Sequence, residues 1–251
     1  MKPRDRQARI LEIVSRDGEA AVEDLARSFE VSHETIRRDL QELASTGALH
    51  KVRGAARRLK LHTEGSFRDR LYEHSAEKAE IARKLAGIVE DGDTIFIDTG
   101  TTTLACAEAL AAREGLTVIT NSVRIAQRLG EQPGRARVFL LGGAFGADSA
   151  ETVGPLVIEQ VGRFQADHAV ITVAALDPDG GAMDADFDEA QVARAMIGQA
   201  KTAVVLCNSQ KFGRRAAFRV CRLDEIDVLV SDARPEGRLA TALSSAGVTV
   251  Q

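Results

Sequence analysis

Val22-Glu-Asp-Leu-Ala-Arg-Ser-Phe-Glu-Val-Ser-His-Glu-Thr-Ile-Arg-Arg-Asp-Leu40 decides the reading of the N-terminal part of this chain. Val22, Leu25, Ala26 and Phe29 recur at the spacing of one helix face, Val31-Ser32 breaks the pattern, and Ile36, Leu40 and Leu43 open a second apolar stripe. The pattern predicts two short helices joined by a tight turn, with Ser32 at the N-cap of the second. If Ile36, Leu40 and Leu43 face a small core, the helical wheel turns His33, Glu34, Arg37, Arg38 and Gln41 outward, with Thr35 at the margin. A helix-turn-helix presents its second helix to double-stranded DNA in this way. The first residues meet base edges, and arginines and backbone amides hold phosphates. Ser32, His33, Thr35, Arg37 and Arg38 are the candidate contacts. The pattern alone leaves open an amphipathic hairpin whose arginines are solvated or paired with Asp39 and Glu42.

Downstream, Gly47-Ala-Leu-His-Lys-Val-Arg-Gly54 reads as a short hairpin wing, which adds Lys51 and Arg53 to the candidate DNA contacts. Arg57, Arg58 and Lys60 continue the basic run. Residues 1–62 carry a balance of +3 and residues 63–251 a balance of −7, within a net charge of −4 for the chain. A uniformly acidic body would be repelled by DNA, so binding requires positive charge gathered at one end, and the N-terminal segment gathers it.

The length of 251 residues and 44% hydrophobic content, with no low-complexity tract, predict a folded protein of one or two domains. The expected division is residues 1–58 as a winged helix-turn-helix, 59–74 as a linker and 75–251 as an α/β domain. Met1-Lys-Pro-Arg-Asp-Arg-Gln-Ala-Arg9 lacks the apolar core of a secretion signal, and no apolar run approaches a membrane span. A cytoplasmic location without a membrane partner is the expectation. Cys106, Cys207 and Cys221 stand far apart with no Cys-x-x-Cys pair, which points to small buried apolar residues and to no metal or redox cofactor.

From about residue 75 helical and strand patterns alternate. A helix is expected over 76–89, and strands over 94–98, 116–120, 138–141, 168–173, 203–207 and 227–231. Alternation implies a mostly parallel sheet of six or seven strands, whose ligands gather beyond the carboxyl ends of the strands. Asp98-Thr-Gly-Thr-Thr-Thr103 has the character of a phosphate cradle. Gly100 permits a turn with convergent amides, Thr99, Thr101, Thr102 and Thr103 supply hydroxyls, and a helix N-terminus favours negative charge. It lacks the Gly-Lys-Ser/Thr of a Walker loop, and plain helix capping equally fits it. Asn121-Ser122 and Gly142-Gly143 fall at equivalent strand ends and add candidate ligand contacts. Asp184, Asp186, Asp188 and Glu189 precede a helix, where a capping box on Asp186 and Glu189 is favoured over a metal site. Lys211, on a further strand-end loop, is placed either to meet a phosphate or to lie solvated.

Taken together, Val31-Ser-His-Glu-Thr-Ile-Arg-Arg-Asp-Leu40, Arg68 through Glu77-Lys78, Asp98-Thr-Gly-Thr-Thr102, Thr120-Asn-Ser122, Leu141-Gly-Gly143, Asp184 through Glu189 and Lys211-Phe-Gly213 resemble the DeoR family of bacterial transcriptional regulators over nearly the whole chain. The resemblance implies a winged helix-turn-helix followed by an effector domain similar to ribose-phosphate isomerases and CoA transferases. It implies a repressor of sugar or polyol catabolism that answers to a phosphorylated sugar or polyol and acts as a homo-oligomer, a dimer or tetramer. Carried over residue by residue, it puts phosphate contacts on Asp98 to Thr103, further contacts on Asn121, Gly142 and Gly143, and polar recognition on Glu189 and Lys211. Three segments depart from the family pattern: Arg53-Gly-Ala-Ala56 in the wing, Thr172-Val-Ala-Ala175 at a strand end, and Asn208-Ser-Gln-Lys-Phe-Gly213.

Two other functions remain in view at this stage. An isomerase-like enzyme would need a base set against a carbon-bound proton and groups to stabilise an enediolate, and it has no reason to carry a DNA reader. A DNA-binding regulator with a vestigial sensor would fit the departures at Asn208 and Ala174.

Overall fold

The structure, a computed structural model, describes residues 3–45, 49–52, 54–57, 64–131 and 136–251. It divides into two compact units, Met1–Lys60 and Leu61–Gln251.

The first unit runs α1 (Pro3–Asp17), β1 (Glu19–Ala21), α2 (Val22–Phe29), α3 (His33–Ser45), β2 (His50–Val52) and β3 (Ala55–Arg57). The three strands pair in the order β1-β3-β2, antiparallel throughout, so a wing is present, but its second strand lies at Ala55–Arg57, beyond the expected 47–54, and an extra strand joins from before α2. Within that wing Lys51 lies on β2, while Gly47, Ala48 and Arg53 fall outside the described residues. Ile10 and Val14 of α1 close the core against Leu25, Ile36, Leu40 and Leu43. The turn between α2 and α3 is made by Glu30 in the left-handed region (φ 52°), with the Val31 amide returning to the Ala26 carbonyl. Ser32 caps α3 as the sequence predicts, its hydroxyl accepting from the Thr35 amide at 3.2 Å.

The second unit begins with α4 (Phe67–Tyr72) and α5 (Ser75–Ala86) and continues β4 (Thr94–Ile97), α6 (Thr101–Leu110), β5 (Leu116–Thr120), α7 (Val123–Gly130) and β6 (Ala136–Leu140). A hairpin of β7 (Ala144–Gly146) and β8 (Glu151–Val153) leads to α8 (Pro155–Val161) and β9 (Ala166–Thr172). Then come β10 (Ala175–Asp177), β11 (Gly181–Asp184), α9 (Phe187–Ile197), β12 (Ala200–Leu206), β13 (Phe218–Cys221), β14 (Val228–Val230), α10 (Gly237–Ser245) and β15 (Thr249–Val250). Seven parallel strands form the main sheet among the described residues, in the order β15-β14-β12-β9-β4-β5-β6. Alternation along β4 sends Ile95 and Ile97 into one apolar layer, with residues of α5, α6 and α7, and Phe96 into the other, with residues of α8, α9 and α10. The sheet is thus covered on both faces, as its near-continuous apolar strands require.

Where the sequence reading expects a linker to residue 74, residues 64–74 carry α4. Its Phe67 is buried beneath the Arg124 guanidinium, 4.8 Å from the ring centre, and the Phe67 amide donates to Asp148 at 2.7 Å. Burying one such ring stabilises by roughly 1.5–3 kcal/mol, enough to hold a two-turn segment against the domain. The small sheet β10-β11-β13 and the β7-β8 hairpin carry no strong sequence signal, being strands of three or four residues. All three cysteines are buried and free, as expected, and burial pushes their thiols well above the usual range.

Candidate functional site

In the first unit, α3 presents His33, Glu34, Arg37 and Arg38 exposed and Thr35 at the margin, the face that the wheel predicts. Arg37 meets Glu34 at 3.6 Å and Arg38 meets Glu42 at 3.9 Å, exposed contacts worth less than about 1 kcal/mol and easily exchanged for phosphates. Asp39 is no partner for these arginines. It is buried and holds Arg6 of α1 in a bidentate pair at 2.5 and 3.1 Å. The arginines next to it therefore stay on the outer face.

In the second unit, chain order advances from β4 through β5 to β6 on one side and resumes at β9 on the other, so the sheet switches direction between β4 and β9. Open α/β sheets form their ligand crevice beyond the carboxyl ends of the strands at such a point. Here the ends of β12, β9, β4 and β5, adjacent in the sheet, deliver Asn208, Val173, Asp98-Thr99 and Asn121 in a row.

Asp98 turns inward. Both of its carboxyl oxygens accept from the Thr172 amide, at 3.2 and 3.0 Å, tying the loop after β4 to the end of β9. Burial drives its pKa well above the usual carboxylate range. Gly100 permits this closeness: a Cβ there would lie 2.4 Å from Thr172 Cγ2. Helix α6 starts directly after Gly100 with no side-chain cap, and Thr103 donates its hydroxyl to the Gly100 carbonyl at 3.1 Å. The amides of the first turn therefore have no intrahelical acceptor. Thr101 and Thr102 line a cavity of about 120 Å³, with Asp98, Thr99, Gly100 and Thr103 forming the support behind them.

That cavity is walled on its other sides by Glu64, Arg70, Lys78, Asn208 and Lys211. Lys211 donates to Glu64 at 2.8 Å and to the Val173 carbonyl at 2.6 Å, and Arg70 also pairs with Glu64. Lys78 is buried and donates to the Arg70 carbonyl. Burial first, and then the charges of Lys211 and Arg70, lower its pKa. Arg70, Lys78 and Lys211 thus converge at the N-terminus of α6, and Arg214 lines the same cavity. Beyond the ends of β4, β5 and β12, Thr99 Oγ1, Asn121 Oδ1 and Asn208 Nδ2 are buried with no hydrogen-bond partner among the described residues, a costly arrangement unless a ligand or water completes it.

Near the cavity, though not among the residues that line it, lies a cluster of buried carboxyls together with Asn121. Glu151 accepts from Ser149 at 2.5 Å and from Asn121 at 3.4 Å. Burial raises its pKa, and burial together with the Glu151 charge raises that of Glu189. Asp184, turned on itself by the Ala185 and Asp186 amides, is pushed up to about 6 by burial and by the charge of Glu64. Asp186 caps α9 through the Asp188 and Glu189 amides, but the capping box expected with Glu189 is not completed, because the Asp186 amide donates to Asp184.

The other nominated residues lie elsewhere. Ser122 accepts from the Ile125 amide as the cap of α7. Gly142 is engaged at both its amide and its carbonyl by the Gln160 side chain, at 3.1 and 2.7 Å, and Gly143 packs where a Cβ would meet Val157 and the Val153 carbonyl. Both glycines shape the β6–β7 turn, and neither lines the cavity. Sequence reasoning did not assign Glu64, Arg70, Lys78 or Glu151 to the site. Glu77-Lys78 was visible as a motif, but only packing shows that Lys78 points into the cavity.

Two family descriptions match the chain, a DeoR-like helix-turn-helix domain over residues 6–61 and a DeoR C terminal sensor domain over residues 73–233. The glycerol-3-phosphate regulon repressor of Escherichia coli (strain K12) is 31% identical over 94% of this chain and 93% of its own length. The HTH-type transcriptional repressor GlcR of Bacillus subtilis (strain 168) is 32% identical over 99% and 95%. Ribose 5-phosphate isomerase A from Methanocaldococcus jannaschii superposes with a TM-score of 0.40 at 15% identity, covering 54% of this chain and 53% of its own, a remote likeness on which no functional reading rests. With its reader helix, its wing and its doubly wound second unit matched in order along the chain, this protein belongs to the DeoR family of transcriptional regulators.

Proposed function

We propose that the protein is a DNA-binding transcriptional repressor whose second unit binds a phosphorylated sugar or polyol and thereby controls its hold on an operator. The convergence of the α6 N-terminus with Arg70, Lys78 and Lys211 at the β4/β9 switch carries this reading. Helix amides and clustered cations suit a phosphate group. The buried carboxyls of Asp184, Glu151 and Glu189, close enough to feel the charges of Glu64 and Arg70, and the open Oδ1 of Asn121 offer acceptors that suit the hydroxyls of a polyol. The relatives' names agree with this ligand class, one being a repressor of a glycerol-3-phosphate regulon. The DNA side rests on α3, with Ser32, His33, Thr35, Arg37 and Arg38 as contacts and Lys51 and Arg53 contributed by the wing.

The test is fluorescence anisotropy of the whole chain on DNA from upstream of its own gene, against scrambled DNA at fixed salt, with glycerol 3-phosphate and a panel of sugar phosphates added. Selective binding that one compound reverses supports the reading. Selective binding unchanged by every phosphate would leave a DNA-binding protein without this sensor. No selectivity would overturn the repressor assignment. A useful response needs a coupling of only about 1–3 kcal/mol between reader and sensor.

A further inference from the structure

Glu64 occupies the middle of the cation cluster. Its carboxylate spans Lys211, at 2.8 Å, and Arg70, and its side chain is only 14% exposed. A carboxylate in this position neutralises one of the convergent positive charges of Arg70, Lys78, Lys211 and Arg214 and offers two oxygens to donors that Lys78 and Asn208 Nδ2 extend further. A phosphate monoester brings a charge of nearly −2 and three acceptor oxygens, and it suits the fork of an arginine better than a single carboxylate does. Residues 64–66 lie on the chain leading from the first unit into α4.

Building on the function proposed above, we propose that Glu64 is a resident stand-in for the ligand's phosphate, and that a phosphorylated ligand occupies the pocket by displacing it from Lys211 and Arg70. Arg70, Lys78, Lys211 and Asn208 then hold the phosphate against Thr101, Thr102 and the open amides of α6. The displaced carboxylate releases the segment before α4, which is continuous in sequence with the DNA-reading unit, so occupancy of the pocket alters that tether. The arrangement also sets a threshold. A ligand whose site is held by an internal competitor nine-tenths of the time binds about tenfold more weakly than it would to the vacated site.

Calorimetric titration of the full chain with inorganic phosphate tests this. Glu64→Gln, which keeps the shape and removes the charge, is expected to bind phosphate about tenfold more tightly than the parent protein. Glu64→Asp, which withdraws the carboxylate by one methylene, is expected to fall between the two. Equal or weaker binding by Glu64→Gln would show Glu64 to be a structural partner of the cations and would overturn the displacement alone. Absence of phosphate binding in all three proteins would overturn it together with the ligand-sensing reading. Hydrogen exchange on the unmodified chain gives a readout independent of any variant's folding. Saturating phosphate is expected to speed exchange in a peptide covering 64–72 several-fold, and unchanged or slower exchange would overturn the proposal.

Discussion

Asp39 and Arg37, two positions apart on one helix, have opposite fates. Asp39 is sealed against Arg6, and removing one partner of a buried pair leaves the other charge without compensation. Asp39→Ala is expected to destabilise the first unit by about 3–5 kcal/mol, read as loss of its thermal transition. Arg37→Ala should leave that transition within about 0.5 kcal/mol while weakening operator binding and flattening its dependence on salt. Unchanged DNA affinity would remove Arg37 from the interface. The sequence made Arg37 and Arg38 legible because a helical wheel reports which way a residue points. It left Asp39 as a possible partner for its neighbours, because periodicity within α3 says nothing of α1, whose Arg6 lies 33 positions away. The cavity follows the same logic. Thr101, Thr102 and Lys211 follow strand ends closely, the threonines opening α6 after β4 and Lys211 a short turn after β12, and position alone nominates them, whereas Glu64 and Arg70 arrive from a segment that reads as a linker and become site residues only through packing.

Among the elements, the long buried strands of the main sheet were legible, and the two-residue β15 and the short antiparallel strands of the second unit were not, since three residues hold no measurable period. The β4–α6 connection carries the strictest geometric demand. Gly100 has an extended backbone that any residue adopts, so its requirement comes from space alone: a methyl group would press into Thr172 Cγ2. Gly100→Ala is expected to cost the second unit about 1–3 kcal/mol, as overpacking does, and to weaken phosphate binding by parting the α6 N-terminus from β9. Thermal unfolding and calorimetry on one sample check both effects. A variant of parental stability and affinity would mean the loop yields without strain. The glycines after β6 read identically in sequence yet serve a turn, which shows that a Gly-Gly pair marks close approach of backbone without naming what approaches.

For the whole molecule, buried carboxyls predict how stability follows pH. Asp98, Glu151, Asp184 and Glu189 all bind protons more tightly folded than unfolded, Asp184 with a folded value of about 6. Their contribution is complete below the unfolded carboxyl range near pH 4 and is lost as pH rises through the folded values. Asp167, held low by Lys201, acts in the opposite sense at more acidic pH. The thermal midpoint of the second unit is therefore expected to fall between pH 5 and 7, and Glu189→Gln, which cannot ionise, should flatten that slope. A midpoint that rises over this interval would mean the four carboxyls are charged in the folded protein.

The pairing of β4 with β9 has a consequence in time. The first unit contains its own core and its last described strand ends at Arg57, whereas the pocket needs Thr172 beside Asp98 and is finished only with Lys211. About 150 residues separate those points, roughly eight to thirty seconds of synthesis at 5–20 residues per second. In a newly emerging chain the whole of the first unit is therefore synthesised well before the last wall of the pocket.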